Sequence, residues 1–232
     1  MIRGMGSGRL KVNEIFHSIQ GEGTRAGERC AFVRLTGCHL RCTYCDSEYS
    51  FYDGRWMSVD EILAALRPFR CPLVEVTGGE PLLQPEVYPL LARLLAEHAT
   101  VMVETSGAVS IQQVDPRIVR IVDVKCPSSG EAGRNHWPNI ERLAPRDEVK
   151  FVIGNREDYD WSVRVIKEYE LLRRCPVLMS PVTPARNPEA FSLHKGGLDP
   201  AELAAWIIAD RLDVRLGVQL HKVIWPDAIQ GV

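Results

Sequence analysis

The sequence predicts an α/β protein, a partial and open β/α barrel of about six parallel strands with helices outside. Three observations predict it. Runs of β-forming residues alternate with amphipathic helical patterns, as in parallel strands joined by crossings. Polar or unusual residues recur where those runs finish, as on the C-terminal rim of an α/β barrel. The chain has 232 residues, short of the roughly 250 of a full eightfold barrel. No repeat, linker or low-complexity tract divides it, so residues 1–232 are read as one domain. Its first ten residues, rich in Gly, are read as a flexible leader.

The elements follow in order. Residues 31–36 (AFVRLT) are a strand ending in Gly37. Ser58 and Glu61 form a capping box that opens a helix to about Leu66, stopped by Pro68. Residues 73–77 (LVEVT) are a strand cut off by Gly78 and Gly79, and Pro85 suits the first turn of a helix running to about His98. Residues 101–105, 118–125, 148–153 and 176–180 read as strands, and 157–173 as a helix. Asp199 and Pro200 open a helix to about Ile208, and 214–221 (VRLGVQLH) is the last strand. The strand ends then carry Thr36-Gly37-Cys38, Thr77-Gly78-Gly79-Glu80, Glu104-Thr105-Ser106, Asp123-Val124-Lys125, Ser180 and His221. Polar groups in register at six strand ends point to one pocket, although strand ends are also polar simply because loops begin there.

Composition excludes several classes. Lys plus Arg number 28 against 30 for Asp plus Glu, a net charge of −2, which argues against nucleic-acid binding through bulk positive charge. No apolar run approaches the roughly 20 residues of a membrane-spanning helix. The start shows no secretory segment, so a cytoplasmic protein is expected. Seven cysteines, an odd number, fit a disulfide framework poorly. Cys30, Cys71, Cys126 and Cys175 sit mostly beside apolar residues and read as buried filler.

Cys38, Cys42 and Cys45 are different: C-x3-C-x2-C places three thiolates on one short loop. Three thiolates can hold three irons of a 4Fe–4S cube and leave the fourth iron open to a substrate. A structural zinc site needs four ligands, usually two pairs, and no second pair follows. Cys30 or His39 completing a zinc site remains the competing reading.

This cysteine pattern, with Tyr44 before the last Cys, resembles the signature of radical S-adenosylmethionine (AdoMet) enzymes. Thr77-Gly78-Gly79-Glu80-Pro81 resembles that superfamily's motif for the AdoMet amino group. The physics agrees, since glycines admit close approach and Glu80 opposes an ammonium. Residues 14–23 (EIFHSIQGEG) are similar to the N-terminal motif of the 7-carboxy-7-deazaguanine synthase family, and further matches run along residues 12–226.

The resemblance implies a radical AdoMet core on the partial TIM-type barrel. It also implies conversion of 6-carboxy-5,6,7,8-tetrahydropterin to 7-carboxy-7-deazaguanine with loss of ammonia, in the queuosine and deazapurine pathway. The cofactors implied are a 4Fe–4S cluster, AdoMet and Mg²⁺, and the partner an external electron donor of flavodoxin or ferredoxin type. By position, Cys38, Cys42 and Cys45 hold the cluster. Tyr44, Asp46, Gly79, Glu80, Glu104, Ser106, Asp123, Lys125, Ser180 and Thr183 serve AdoMet. Ser47 matches the magnesium hydroxyl, and a single neutral oxygen suits Mg²⁺ if substrate and water complete its octahedron. Ile19, Gln20, Gly21, Glu22, Arg34, Thr77 and His221 match substrate-binding positions. Arg34 offers a planar fork to a carboxylate, and Gln20 offers donor and acceptor to an amide edge.

Blander readings stand beside these: Arg34 as a surface charge, Glu22 as a turn residue, and His221 as a satisfied histidine at a strand end. A glycyl-radical activating enzyme is the nearest alternative, but such enzymes resemble a D-G-P-G pattern where this chain reads Gln20-Gly21-Glu22-Gly23. A zinc-bearing module without catalysis is the other. A homodimer is expected, to shield the open edge of the barrel.

Overall fold

A computed structural model describes residues 8–183 and 197–232. Residues 1–7, most of the expected leader, lie outside the described part. Arg9 and Leu10, assigned on the sequence to that leader, instead begin β1 (Arg9–Ile19). Leu10 and Val12 are buried in the core, which is what anchors the segment.

β1 pairs antiparallel with β2 (Arg29–Leu35) on one side and with β3 (Arg55–Ser58) on the other. From β2 onward all neighbours are parallel. The strands are β4 (Leu73–Gly78), β5 (Thr100–Thr105), β6 (Val119–Asp123), β7 (Glu148–Ile153), β8 (Val177–Pro181) and the short β9 (Arg215–Leu216). The nine-stranded sheet runs β3-β1-β2-β4-β5-β6-β7-β8-β9 and does not close. Six full-length parallel strands in an open sheet are the expected architecture.

Helices sit where the sequence signals put them. The capping box of Ser58 and Glu61 opens α1 (Val59–Leu66), with both of its hydrogen bonds formed. α2 (Val87–Glu97) starts two residues after Pro85 and buries Leu90, Leu91 and Leu94. α3 (Arg156–Glu168) is capped by the Asn155 side chain and stops short of the expected residue 173. Glu170 adopts a left-handed backbone (φ 50°) that breaks the helix before a separate 3-10 turn. α4 (Pro200–Ala209) is capped by Asp199.

The expected last strand is corrected. Only Arg215 and Leu216 pair with β8, after which the chain leaves the sheet and turns into α5 (Leu220–Ile224). His221 therefore reaches the rim from a helix rather than from a strand end. Among the described residues, no helix is long and apolar enough to cross a membrane. The four scattered cysteines are buried and free, as expected of filler.

A buried ion pair ties β6 to the end of the crossing that leads into β7. The carboxylate of Asp147, fully buried, accepts from the Arg120 backbone N–H (2.9 Å), from its Nε (3.0 Å) and from the Ala144 N–H (2.7 Å). Removing one partner of such a pair strands the other charge in a dry site. Asp147→Ala is therefore expected to lower stability by about 3–5 kcal/mol, read as a shift of the urea midpoint. An unchanged midpoint would show that the pair is not integral to the core.

Candidate active site

The cysteine loop follows β2 and is clamped from two sides. Its Thr43 donates from N–H and hydroxyl to the carbonyls of Ser129 (3.1 Å) and Ser128 (2.6 Å), and the Arg41 N–H donates to Glu131 (2.7 Å). On the other side the Glu80 N–H donates to the Gly37 carbonyl (2.9 Å). Gly79 makes this possible: a Cβ there would lie 2.6 Å from the Gly37 oxygen and 2.7 Å from Cys38 Cβ. The Gly-Gly-Glu turn thus packs directly on the cysteine loop.

All three thiols are free and partly buried. Burial raises their pKa values, Cys42 to about 11 and Cys45 to about 12, with Cys38 shifted the same way. Iron binding must therefore displace protons. Among the described residues no three His, Cys, Asp or Glu side chains converge as ligands of one ion do. Cys30, offered as a fourth zinc ligand, is buried in β2 with its thiol directed to the Ala31 carbonyl (3.6 Å). His39 has a buried Nδ1 with no hydrogen-bond partner. Three thiols on one clamped loop, with a glycine turn pressed against them, fit a cluster that spreads its ligands over a cube face.

Around this loop lie the residues assigned to AdoMet. The Glu80 carboxylate is buried and accepts from Thr105 Oγ1 (2.8 Å), the Ser106 hydroxyl, the Ser106 N–H (2.8 Å) and the Leu82 N–H (2.9 Å). Asp123 pairs with Lys125 (2.7 Å) through Oδ2, while its Oδ1 is buried with no protein partner. Tyr44 donates to the Val152 carbonyl (3.3 Å). Asp46 and Thr183 are both tied to the C-terminal segment. Asp46 Oδ2 accepts from Lys222 (2.7 Å) and Gln219 (3.0 Å), and the Thr183 hydroxyl bonds Gln219 Oε1 (3.0 Å). Ser47 donates to Asp46 Oδ1 (3.2 Å).

Beside the loop the rim opens into a cleft of about 630 Å³ of empty space, solvent at its mouth included. It brings together all seven residues expected for the substrate: Ile19, Gln20, Gly21, Glu22, Arg34, Thr77 and His221. Glu104 and Ser180, assigned on the sequence to AdoMet, line this same cleft. Arg34 is no surface charge: its side chain is 17% exposed, with Nε on Glu14 (2.8 Å) and the guanidinium over the rings of Phe16 and Tyr49. His221 presses against Gly21, where a Cβ would meet its Nδ1 at 2.2 Å, and the Leu220 N–H donates to the Gly21 carbonyl (3.0 Å). Burial lowers the His221 pKa, favouring the neutral ring.

Several cleft residues were not singled out on the sequence. Lys150 on β7 pairs with Glu104 (2.9 Å) and with Glu22. Burial alone would lower the Lys150 pKa, but Glu104 and Glu22 raise it well above the ordinary value, so the ammonium persists. Glu104 also accepts from the Thr77 hydroxyl (3.2 Å), and Glu22 from Gln219 (2.8 Å). Glu75, Glu148 and Val232 complete the lining. The signal for Glu75 and Lys150 was present, since a charged residue inside a strand buried on both faces needs a reason.

Lys150→Met keeps the side-chain length but leaves Glu22 and Glu104 facing each other without a cation. We expect a stability loss of about 3–5 kcal/mol at neutral pH. Glu22, despite its burial, is held below the ordinary carboxyl value by Lys150, so the loss should shrink as pH falls and Glu22 protonates. Thermal melts across pH check this, and a pH-independent deficit would contradict the assigned pairing.

Comparison with known proteins agrees with this geometry. The Radical SAM superfamily pattern matches residues 32–173. Among curated relatives, the 7-carboxy-7-deazaguanine synthase of Koribacter versatilis is 44% identical over 96% of this chain and all of its own length. The one from Chlorobaculum tepidum is 43% identical over 96% of this chain and 97% of its own length. Among solved structures, QueE from Escherichia coli superposes with a TM-score of 0.66, covering 92% of this chain and 95% of its own, at 20% identity. SuiB from Streptococcus suis superposes at 0.58 over 82% of this chain and 50% of its own, which supports the shared fold. Family membership implies a 4Fe–4S cluster and AdoMet, and the three free thiols fit the former. The chain is a radical SAM enzyme and belongs to the 7-carboxy-7-deazaguanine synthase family.

Proposed function

We propose that this chain converts 6-carboxy-5,6,7,8-tetrahydropterin to 7-carboxy-7-deazaguanine with loss of ammonia, a carbon–nitrogen lyase step in queuosine and deazapurine biosynthesis. The observation that carries the reading is the cleft. Arg34, Gln20, Thr77, Glu104, Lys150 and His221 face one space, and that space adjoins the cysteine loop through Gln219 and Asp46. The glycyl-radical alternative needs a groove for a protein backbone. Here charged and amide groups from five elements enclose a space of small-molecule size.

Cys38, Cys42 and Cys45 would hold the cluster. When bound, the cluster and AdoMet would supply reversible hydrogen-atom abstraction at carbon 6 of the pterin, with the hydrogen handed back at the end so that AdoMet is not consumed. Glu80, fixed by four donors, is the acceptor suited to the AdoMet ammonium. Arg34 directs a guanidinium toward a carboxylate, and its Nε bond to Glu14 fixes the fork. Glu104 and Glu22 can accept N–H groups from an aminopyrimidinone edge, and Lys150 pairs with both. Ser47 is the candidate Mg²⁺ ligand, beside Asp46.

An external flavodoxin- or ferredoxin-type donor would supply electrons in the cytoplasm. A homodimer would cover exposed apolar residues such as Ile208, Val223, Ile224 and Ile229. A monomeric mass by light scattering would refute that arrangement.

The test is anaerobic turnover of reconstituted protein with reductant, AdoMet, Mg²⁺ and the carboxypterin, followed by mass spectrometry. The expected result is the deazapurine acid with AdoMet largely unconsumed. 5′-Deoxyadenosine without that acid would reject this substrate. Cys42→Ala is expected to abolish both the iron chromophore and AdoMet cleavage. Ser47→Ala should keep the chromophore and displace the Mg²⁺ activation curve to higher concentration, and an unmoved curve would remove Ser47 from the metal site.

A further inference from the structure

Four carboxyl groups, Glu22, Glu75, Glu104 and Glu148, line the cleft, and one ammonium, Lys150, stands among the first three. Lys150 contacts Glu22 and Glu104 directly. Glu75 is held differently: its Oε2 accepts from the Gln20 side-chain amide. The residue lies in the middle of β4 between fully buried Val74 and Val76, and is itself 4% exposed. Gln20 is 4% exposed as well, and its carbonyl oxygen accepts the Glu22 N–H (3.1 Å). A chain of contacts thus runs from Glu75 through Gln20 to the backbone of Glu22, whose carboxylate lies in the cleft.

We propose that Glu75 is a positioning and specificity residue for the substrate ring: it locks the Gln20 amide, and through it the Glu22 loop, and presents a hydrogen-bond donor at the cleft floor. The inference rests on the carboxypterin reading above. A donor is available because the carboxyl stays protonated. Glu22 and Glu104 already share Lys150, so a further negative charge in this dry space is unfavourable. Burial first, then Glu104 and Glu22, raise the Glu75 pKa well above its ordinary value. The titratable groups facing it are Cys30 on β2, Glu104 on β5, Lys150 on β7 and Glu22 on the loop after β1. Burial chiefly raises the Cys30 thiol far beyond neutrality, so it adds no charge. A protonated carboxyl carries one donor and one acceptor on the same fork. With the acceptor engaged by Gln20, the donor suits a carbonyl or ring nitrogen of an aminopyrimidinone.

The experiment compares full-length, cluster-reconstituted wild type, Glu75→Gln and Glu75→Leu by anaerobic calorimetry, with AdoMet and then 6-carboxytetrahydropterin as titrants. Glutamine reproduces the neutral fork, so E75Q should bind the pterin within about threefold of wild type, whereas E75L should bind at least about tenfold more weakly. AdoMet affinity should be equal in all three. Between about pH 7 and about pH 9, where a strongly buried Glu can titrate, wild type should lose pterin affinity relative to E75Q. Ionisation of the pterin itself moves both proteins alike. The proposal is overturned if E75L binds the pterin as wild type does, if E75Q fails like E75L, or if wild type and E75Q share one pH profile. Wild type that binds AdoMet but no pterin rejects the substrate reading itself, an outcome distinct from these.

Discussion

A buried ammonium on β7 holds the site in one piece. Lys150 joins Glu104 of β5 to Glu22 of the loop after β1, and from Glu22 the contacts continue through Gln219 to Asp46 and Lys222. One chain of charge-assisted bonds therefore links the sheet, the N-terminal loop, helix α5 and the cysteine loop. Such bonds are strong where water is excluded, and they position groups that local structure alone would leave mobile. The parallel sheet provides the platform, since its C-terminal ends all lie on one rim. The loop after β1 and α5 turn that rim into a cleft.

Much of the platform was legible because strand ends, capping boxes and Gly-Gly turns are local signals. Ser58 with Glu61, the run before Gly78-Gly79, and the cysteine spacing each declare their role within a few residues. β1 was not legible in the same way. It is an antiparallel strand whose Lys11, Asn13, Glu14, His17 and Ser18 interrupt the apolar pattern, and its Gly-rich approach looks like a leader. Its place depends on pairing with β2 and β3 rather than on a local pattern.

The end of the chain shows the opposite error. Residues 214–221 have the composition of a strand, yet only two of them find a partner on β8. The rest is decided by tertiary contacts: the Leu220 N–H meets the Gly21 carbonyl, and His221 fits only because Gly21 has no side chain. A propensity cannot report a docking site two hundred residues away. Glu75 and Lys150 were hidden for another reason. Each sits as a visible charge in an apolar run that otherwise reads as a satisfactory strand, and which partner offsets its burial is decided by strands far away in sequence.

The superfamily pattern ends inside the cleft. Residues 32–173 hold the three cysteines, the Gly79-Glu80 turn and the Asp123–Lys125 pair. Ile19, Gln20, Gly21 and Glu22 precede that span, and Ser180, Thr183, Gln219, His221 and Val232 follow it. These flanks pair and pack with the span: β1 joins the sheet at β2 and β8 joins it at β7, and Leu10, Phe16, Val177 and Met179 share one core with it. The cleft draws on both, with Arg34, Thr77, Glu104 and Lys150 from the span and Ile19, Gln20, Glu22, Ser180 and His221 from the flanks. A change in the flanks therefore alters the cleft and the packing of the sheet together, because the same strands serve both.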